Sequence, residues 1–256
     1  MKSYPAMLLT IGLLAPGAAA ADTPLALFTA GQYSQAEAAG LAQNNAQGFE
    51  IAARAVLADE QTRDTPCLAC IKHAEDLSRK AIAADPARPE GHVYLAVALG
   101  YEARIIGNLA AQTRNYANVA KQELDTANAA DPKDPWILAA LGSWNIEIVR
   151  SAGSALGRWL FGARLQTGLD YYAQAFAIAP SNLVLHYQYA LSLAAFDQAG
   201  YRKDIEDQLG RAVASTPKSS YETFARTRAQ QLLDVVKRGD TDEVQRVVRR
   251  DQGYPA

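Results

Sequence analysis

The sequence predicts an all-α protein, built as an α-solenoid of stacked helical hairpins of which two are lengthened. Two observations support this fold class. A proline-containing turn motif recurs at a nearly constant interval, and the segments between these turns show the apolar periodicity of helices. Repetition of both features indicates copies of one helical unit.

The turn motif consists of an Asp-Pro pair, a second proline three residues later and an apolar run. It occurs as DPARPEGHVYLA from Asp85 and as DPKDPWILAALG from Asp131, 46 residues further on. At the same offset Leu95 corresponds to Leu141, and Gly107 corresponds to Gly153. Related turns follow at 179–180 and 216–217. The chain therefore contains several successive copies of the unit.

Each copy is predicted to be helical. Between Pro89 and Ile106 the apolar residues follow a period of about 3.6, and no Gly or Pro interrupts them before Gly100. Proline is well tolerated at the first position of a helix, where the N–H has no intrahelical partner. One such helix pair does not bury its own apolar face, so we expect the pairs to stack.

These units resemble the tetratricopeptide (TPR) repeat. A helix that ends before Asp-Pro and a new helix of the form P-x-x-x-x-x-L-A are typical of that family, and AGQYSQAEAAG resembles its link through Gly31, Tyr33 and Ala36. Gly200 and Tyr201 begin a similar second helix, with Ile205 in place of the family's small residue. The resemblance extends from about residue 25 to about residue 238 and implies a helical-repeat fold.

Two units are longer than the roughly 34 residues of a TPR repeat. The extra residues lie between the first and second helix, around YEARIIGNLAAQT and IEIVRSAGSALGRWLFG. Divided between the two helices, they predict neighbouring hairpins that are about 9 Å taller than usual. Among exported proteins, this architecture resembles the periplasmic TPR component found with TRAP-type transporters.

The sequence divides into three parts. Residues 1–21 have the charged, apolar and small-residue regions of a signal peptide, which predicts a periplasmic or secreted protein. Residues 22–239 form the repeat domain. Residues 240–256 form a capping helix and tail, opened by a capping box at Asp240 and Glu243. The mature chain has no apolar stretch of transmembrane length.

Charge and motif content argue against two classes of function, nucleic-acid binding and catalysis. With 25 basic and 27 acidic side chains, the formal net charge is −2, so no field attracts nucleic acid. No Ser-His-Asp order, H-E-x-x-H motif, P-loop or G-x-G-x-x-G motif is present. We therefore expect a protein that is not an enzyme and needs no cofactor, with His92 and His186 as structural residues.

Cys67 and Cys70 are the only cysteines. With Thr65 as N-cap and Pro66 as first helical residue, both thiols would lie in a first helical turn. The favoured interpretation is a structural disulfide in an oxidising compartment. A redox pair lacks βαβ context, and a metal site would have at most three ligands with His73, so no metal is expected.

Two functions are compatible with such a fold. The first is a non-catalytic scaffold that holds an envelope protein or peptide in an open groove, and the second is a carrier of a small apolar or lipid-like ligand in a closed cavity. A ligand site is predicted between the two long hairpins, at Tyr101, Arg104, Trp144, Arg150, Trp159 and Phe161, with Ile105, Leu109 and Ile148 beside them. Alternatively, the aromatics are internal packing and the arginines pair with Glu102 and Glu147 near helix ends.

Overall fold

A computed structural model describes residues 23–255, and in this range the protein has thirteen α-helices and no strand. The all-α prediction is confirmed, whereas the predicted signal peptide lies outside the described residues. The helices are α1 (Pro24–Thr29), α2 (Tyr33–Gln43), α3 (Ala46–Thr62), α4 (Leu68–Ala84), α5 (Pro89–Ile106), α6 (Asn108–Thr113), α7 (Tyr116–Ala130), α8 (Pro135–Phe161), α9 (Leu165–Ile178), α10 (Leu183–Asp197), α11 (Arg202–Ala214), α12 (Ser220–Arg238) and α13 (Thr241–Asp251).

The helices pair into six hairpins, which stack in chain order. The pairs are α1 with α2, α3 with α4, α5 with α7, α8 with α9, α10 with α11, and α12 with α13. The first helix of each pair is called an inner helix below, namely α1, α3, α5, α8, α10 and α12. Apolar cores fill the spaces within and between successive hairpins, as expected for an α-solenoid.

The recurrent Asp-Pro turns share one hydrogen-bonding pattern. The carboxylate of Asp85 accepts from the N–H of Ala87, and that of Asp131 accepts from the N–H of Lys133, each at 3.1 Å. This Asx turn ends one helix, and a proline then occupies the first position of α5 and of α8. The repeated sequence motif is therefore a repeated turn.

Two histidines fix these turns to the hairpins. His92 uses one ring nitrogen for the carbonyl oxygen of Pro86 and the other for Glu123 of α7. His186 makes the equivalent contacts with Pro180 and with Gln208 of α11. Both rings are buried and use both nitrogens within the fold, as expected of structural residues.

The extra residues of the two long units form separate short helices. Gly107 (φ 86°, ψ 157°) ends α5, and Gly153 (φ 78°, ψ 161°) breaks α8 at the equivalent position. Their positive φ values are costly for residues other than glycine. The short helices that follow are α6 and residues 154–161, called the insert helices below. The units are longer, as predicted, but the expectation of taller hairpins is wrong because the chain turns at these glycines.

The last hairpin contacts the first ones. Tyr221 of α12 donates a hydrogen bond to Gln61 of α3, and Arg228 forms an ion pair of 2.7 Å with Asp64. Ser220 lies so close to Gly31, between α1 and α2, that a Cβ there would be 2.7 Å from the serine Cβ. These contacts close the row of inner helices into a ring.

The C-terminal residues cap this ring. Asp240 accepts from the N–H of Glu243 at 3.0 Å and so caps α13, as the sequence predicts. Helix α13 packs on α10 and α12. After it the chain turns back at Gly253, next to the ring of Tyr101, and Tyr254 reaches α8. The predicted terminal cap therefore also contacts the interior wall.

Candidate ligand cavity

The ring of inner helices surrounds a cavity of about 1050 Å³. All six inner helices contribute to its wall, which is completed by parts of α6 and α7, Tyr172 of α9 and Tyr254. Most lining side chains are apolar or aromatic. They include Phe28, Leu57, Val93, Tyr94, Val97, Leu99, Tyr101, Ile137, Trp144, Ile148, Leu156, Leu160, Phe161, Val184, Leu185 and Tyr221. A chamber of this size and lining is typical of small-molecule sites.

The structure brings four of the six predicted ligand residues to this cavity. They are Tyr101, Arg104, Trp144 and Phe161. Trp159 is outside the lining and is 79% exposed, because its insert helix turns it toward solvent. Arg150 is also absent from the lining. Of the neighbouring residues, Ile148 lines the cavity, whereas Ile105 and Leu109 do not.

Arg150 is engaged within the protein. It forms a two-point ion pair with Glu147, at 2.6 and 3.0 Å, and donates to the hydroxyl of Tyr254 at 2.5 Å. These bonds raise its pKa, while Arg150, Arg104 and Tyr254 together hold the pKa of Glu147 below its ordinary value despite burial. This arrangement agrees with the alternative stated above, in which Arg150 pairs with Glu147.

Several lining residues are not among those predicted. Arg54 and Leu57 come from α3, Gln188 comes from α10 and Tyr221 comes from α12. They reach the cavity because the two ends of the row of hairpins meet. At this closure Tyr221 contacts Gln61, a residue 160 positions earlier in the sequence. No local motif signals this closure.

Two arginines face the cavity without a carboxylate partner among the described residues. Arg54 lies over the ring of Phe28 at 4.2 Å, and Arg104 lies over the ring of Tyr101 at 5.3 Å. The Nε of Arg104 is buried without a hydrogen-bond acceptor. Both side chains are partly buried, and neither forms an ion pair within 4 Å with a described residue, so these positions favour an anionic group in the cavity.

Two of the three lining carboxylates are already engaged in hydrogen bonds elsewhere. Asp134 caps α8 by accepting from the N–H groups of Trp136 and Ile137. Glu147 is paired with Arg150. Glu90 lies 3.6 Å from Arg88, and its Oε2 atom makes no hydrogen bond within the described residues. They therefore leave Arg54 and Arg104 as the cationic groups available to a ligand.

The cavity tyrosines are neutral hydrogen-bonding groups at physiological pH. Burial raises the pKa of Tyr94 and of Tyr101 to about 12, and it raises that of Tyr221 as well. Each therefore keeps its phenolic proton. The hydroxyl of Tyr221 donates it to Gln61, whereas the hydroxyls of Tyr94 and Tyr101 can donate to another acceptor. Together with the arginines, these hydroxyls are polar groups in a wall that is otherwise largely apolar.

A pair of acidic residues lies outside the cavity, between α4 and α5. Glu102 is fully buried, accepts from the hydroxyl of Tyr116 at 2.9 Å and is within hydrogen-bonding reach of Glu75. Burial first, and then Glu75, raise the pKa of Glu102 to about 7. Burial also acts to raise the pKa of Glu75, but hydrogen bonds with Glu102 and Arg79 outweigh it and lower that pKa. The pair thus shares one proton.

We expect Glu102→Gln to stabilise the protein at about pH 8 by about 1–2 kcal/mol, with little effect near pH 4. The folded state keeps the Glu102 proton up to about pH 7, whereas the unfolded chain releases it near the ordinary pKa of 4.5. Wild-type stability therefore falls as pH rises through this window, and glutamine removes that loss. Urea unfolding at several pH values measures the difference. A constant difference across this range would contradict the shared proton.

The cysteines form a separate site beside α4. Their Sγ atoms are 2.11 Å apart, which is bonding distance. Cys67 is the N-cap of α4 and Leu68 is its first residue, so the predicted Thr65 cap is wrong. The carboxylate of Glu60 accepts from the N–H of Cys67 and lies near both sulfurs. His73 instead bonds Glu37 at 2.7 Å. Sulfurs joined in this way offer no thiolate to a metal.

The helices of the described range are all too short or too polar to cross a membrane. The resemblance to TPR proteins rests on the repeated motifs of the sequence, and the stacked hairpins are compatible with it. Comparison with protein-family models matched none, and comparison with curated proteins found no significant similarity.

Proposed function

We propose that the protein is a non-catalytic carrier that binds one small amphipathic molecule, with an apolar body and an acidic head group, in the cavity. The single observation that carries this proposal is the largely apolar chamber of about 1050 Å³ with Arg54 and Arg104 in its wall. The apolar wall would hold the body of the ligand. The arginines and tyrosine hydroxyls would hold its head group through charge-assisted hydrogen bonds.

The ring closure favours this function over a scaffold for extended peptides. A peptide scaffold needs a groove that stays open along the row of repeats. Here α12 contacts α3 through Tyr221 and the segment after α3 through Arg228, and Ser220 lies against Gly31 of the first hairpin, which removes the gap between the ends of the row. A compact ligand fits such an enclosure better than a chain that must continue past it.

We place the carrier in the cell envelope, as a periplasmic or secreted protein. The signal-peptide pattern of residues 1–21 and the cysteines at bonding distance support this location. An amphipathic ligand disperses poorly in water. A carrier with an apolar chamber would keep it apart from the aqueous phase.

A substitution at Gly100 tests whether the ligand binds in the cavity. This residue lies inside α5 and lines the chamber, and a Cβ added to it meets no atom within 4 Å. We expect Gly100→Phe to fill part of the chamber and weaken binding of a fluorescent fatty acid, dansyl-undecanoic acid, at least about tenfold. The free energy of unfolding should stay within about 1 kcal/mol of wild type, because glycine is itself unfavourable inside a helix.

Gly210→Phe is the matched control. Gly210 also lies inside a helix, α11, has equally open space at its Cβ and is outside the cavity lining. We expect this variant to bind the probe as wild type does. Equal affinities of both variants and wild type would place the probe elsewhere and contradict the proposal.

The role of the arginines is tested with the methyl ester of the same probe. Replacing Arg54 and Arg104 together by methionine should weaken binding of the acid at least about tenfold and leave binding of the ester nearly unchanged. Arg158, which is exposed and outside the lining, offers a control methionine substitution. Equal losses for acid and ester would show that the arginines maintain the fold instead of binding the head group.

A further inference from the structure

Exposed apolar side chains are concentrated on the insert helices. Seven large apolar residues are exposed among residues 23–255, and four of them are in these two short segments. Leu109 is 81% exposed and Trp159 is 79% exposed, while Leu156 and Leu160 are about half exposed. Together with the basic residues below, these four are called the insert surface. Exposed apolar side chains gathered on short segments in this way mark contact sites.

The insert helices are held in this orientation by their own packing. Gly157 is buried against the end of the preceding part of α8, where a Cβ would lie 3.6 Å from atoms of Ile148 and Val149. Phe161 packs on the core shared by α5, α7 and α8. One side of residues 154–161 is thus anchored, and the other side presents Leu156 and Trp159 to solvent.

The charge around this surface is basic, although the whole chain is slightly acidic. No acidic residue occurs from 103 to 122 or from 148 to 169. Arg114, Arg158 and Arg164 are exposed, and none of them is in an ion pair with a described carboxylate. Basic side chains interspersed with exposed Trp and Leu complement a partner that has an apolar interior beneath an anionic surface layer.

The insert surface adjoins the cavity. Leu156 and Leu160 are exposed and also line the chamber, and Ala111 and Gln112 of α6 line it from the equivalent segment. A partner bound to the insert helices therefore meets the edge of the cavity. This position suits a surface that supplies or receives an amphipathic molecule.

We propose that the insert helices bind the protein to a membrane surface that contains anionic lipids. Trp159, Leu109 and Leu156 enter the interfacial region, where tryptophan is favoured, and Arg114, Arg158 and Arg164 contact lipid phosphates. The attachment is peripheral. It goes beyond the proposed carrier function and does not require the cavity to be occupied.

The test measures flotation of the purified protein with vesicles. One set contains phosphatidylcholine alone, and the other contains phosphatidylcholine mixed with phosphatidylglycerol. We expect wild type to bind the mixed vesicles at least about tenfold more tightly, and high salt to weaken this binding. Replacing both Leu109 and Trp159 by serine should abolish it, and replacing Arg114 and Arg158 by glutamine should remove the preference for anionic vesicles.

The matched control replaces Leu25 and Ile178 by serine. These residues are about half exposed but lie on α1 and α9, outside the insert surface. We expect this variant to float as wild type does. Trp159 is also monitored directly: brominated acyl chains should quench wild-type emission more than that of Trp159→Phe.

Three results would overturn the proposal. Absence of wild-type binding to both vesicle types rejects it. Equal loss of binding in the Leu25/Ile178 control rejects the assignment to the insert helices. A self-associated wild type that the Leu109/Trp159 variant renders monomeric, without any vesicle binding, would show that the surface contacts a second copy of the chain.

Discussion

Trp144→Ala is expected to lower the free energy of unfolding by about 3–5 kcal/mol. The indole is 9% exposed and packs in the core of α5, α7 and α8, and its Nε1 donates to the carbonyl oxygen of Ala117 at 3.0 Å. Truncation removes this packing and leaves the carbonyl without its donor. Urea unfolding followed by circular dichroism measures the change.

Two further substitutions separate the contributions of packing, the hydrogen bond and burial to this loss of stability. Trp144→Phe keeps most of the packing but loses the hydrogen bond, so it should cost less than the alanine variant. Trp159→Ala should change stability by less than about 0.5 kcal/mol, because that indole is 79% exposed. Similar costs for Trp144→Ala and Trp159→Ala would contradict the placement of one tryptophan in the core and the other on the surface.

Arg228→Met is expected to lower the free energy of unfolding by about 2–4 kcal/mol. This guanidinium is buried between Asp64, at 2.7 Å, and Asp251, at 3.4 Å. The Asp251 side chain is 1% exposed and keeps only its bonds with Arg250 and Tyr187 after the change. Loss of the arginine thus leaves a buried carboxylate less well paired and weakens the closure of the ring.

Asp64→Asn separates these two effects. Asp64 is 74% exposed, so its loss should cost less than about 1 kcal/mol, although it breaks the bond between α12 and the residues after α3. A double-mutant cycle with Arg228→Met isolates that bond. If Arg228→Met were as mild as Asp64→Asn, Asp251 would not depend on this arginine.

The helices and turns of this protein are predictable from local sequence. Asp85 and Asp131 accept the Asx-turn hydrogen bonds, Pro89 and Pro135 begin helices, and Asp240 caps the last helix, because each of these roles depends on residues a few positions away. The equivalence of Gly107 and Gly153 is visible as well. What these glycines do is less apparent, because a glycine in a helical pattern permits a break without requiring one.

The candidate site is only partly predictable. Tyr101, Arg104, Trp144 and Phe161 reach the cavity because they lie in adjacent stacked units, where the repeat itself sets their proximity. Arg150 occupies the same repeat position as Arg104 but points to Glu147 and to Tyr254, a residue 104 positions away. Part of this difference is local, because Glu147 lies three positions before Arg150 whereas Tyr101 lies three positions before Arg104. The rest comes from the C-terminal tail, where the hydroxyl of Tyr254 accepts a hydrogen bond from Arg150.

The sequence by itself determined the helical units, their order and their two insertions, since periodicity, prolines and caps act over a few residues. Tertiary structure alone decided that the row of inner helices closes into a ring around a chamber. The curvature of a solenoid accumulates from small rotations between successive pairs. Whether its ends meet therefore depends on every interface together, and on contacts such as Asp64 with Arg228 that no local pattern encodes.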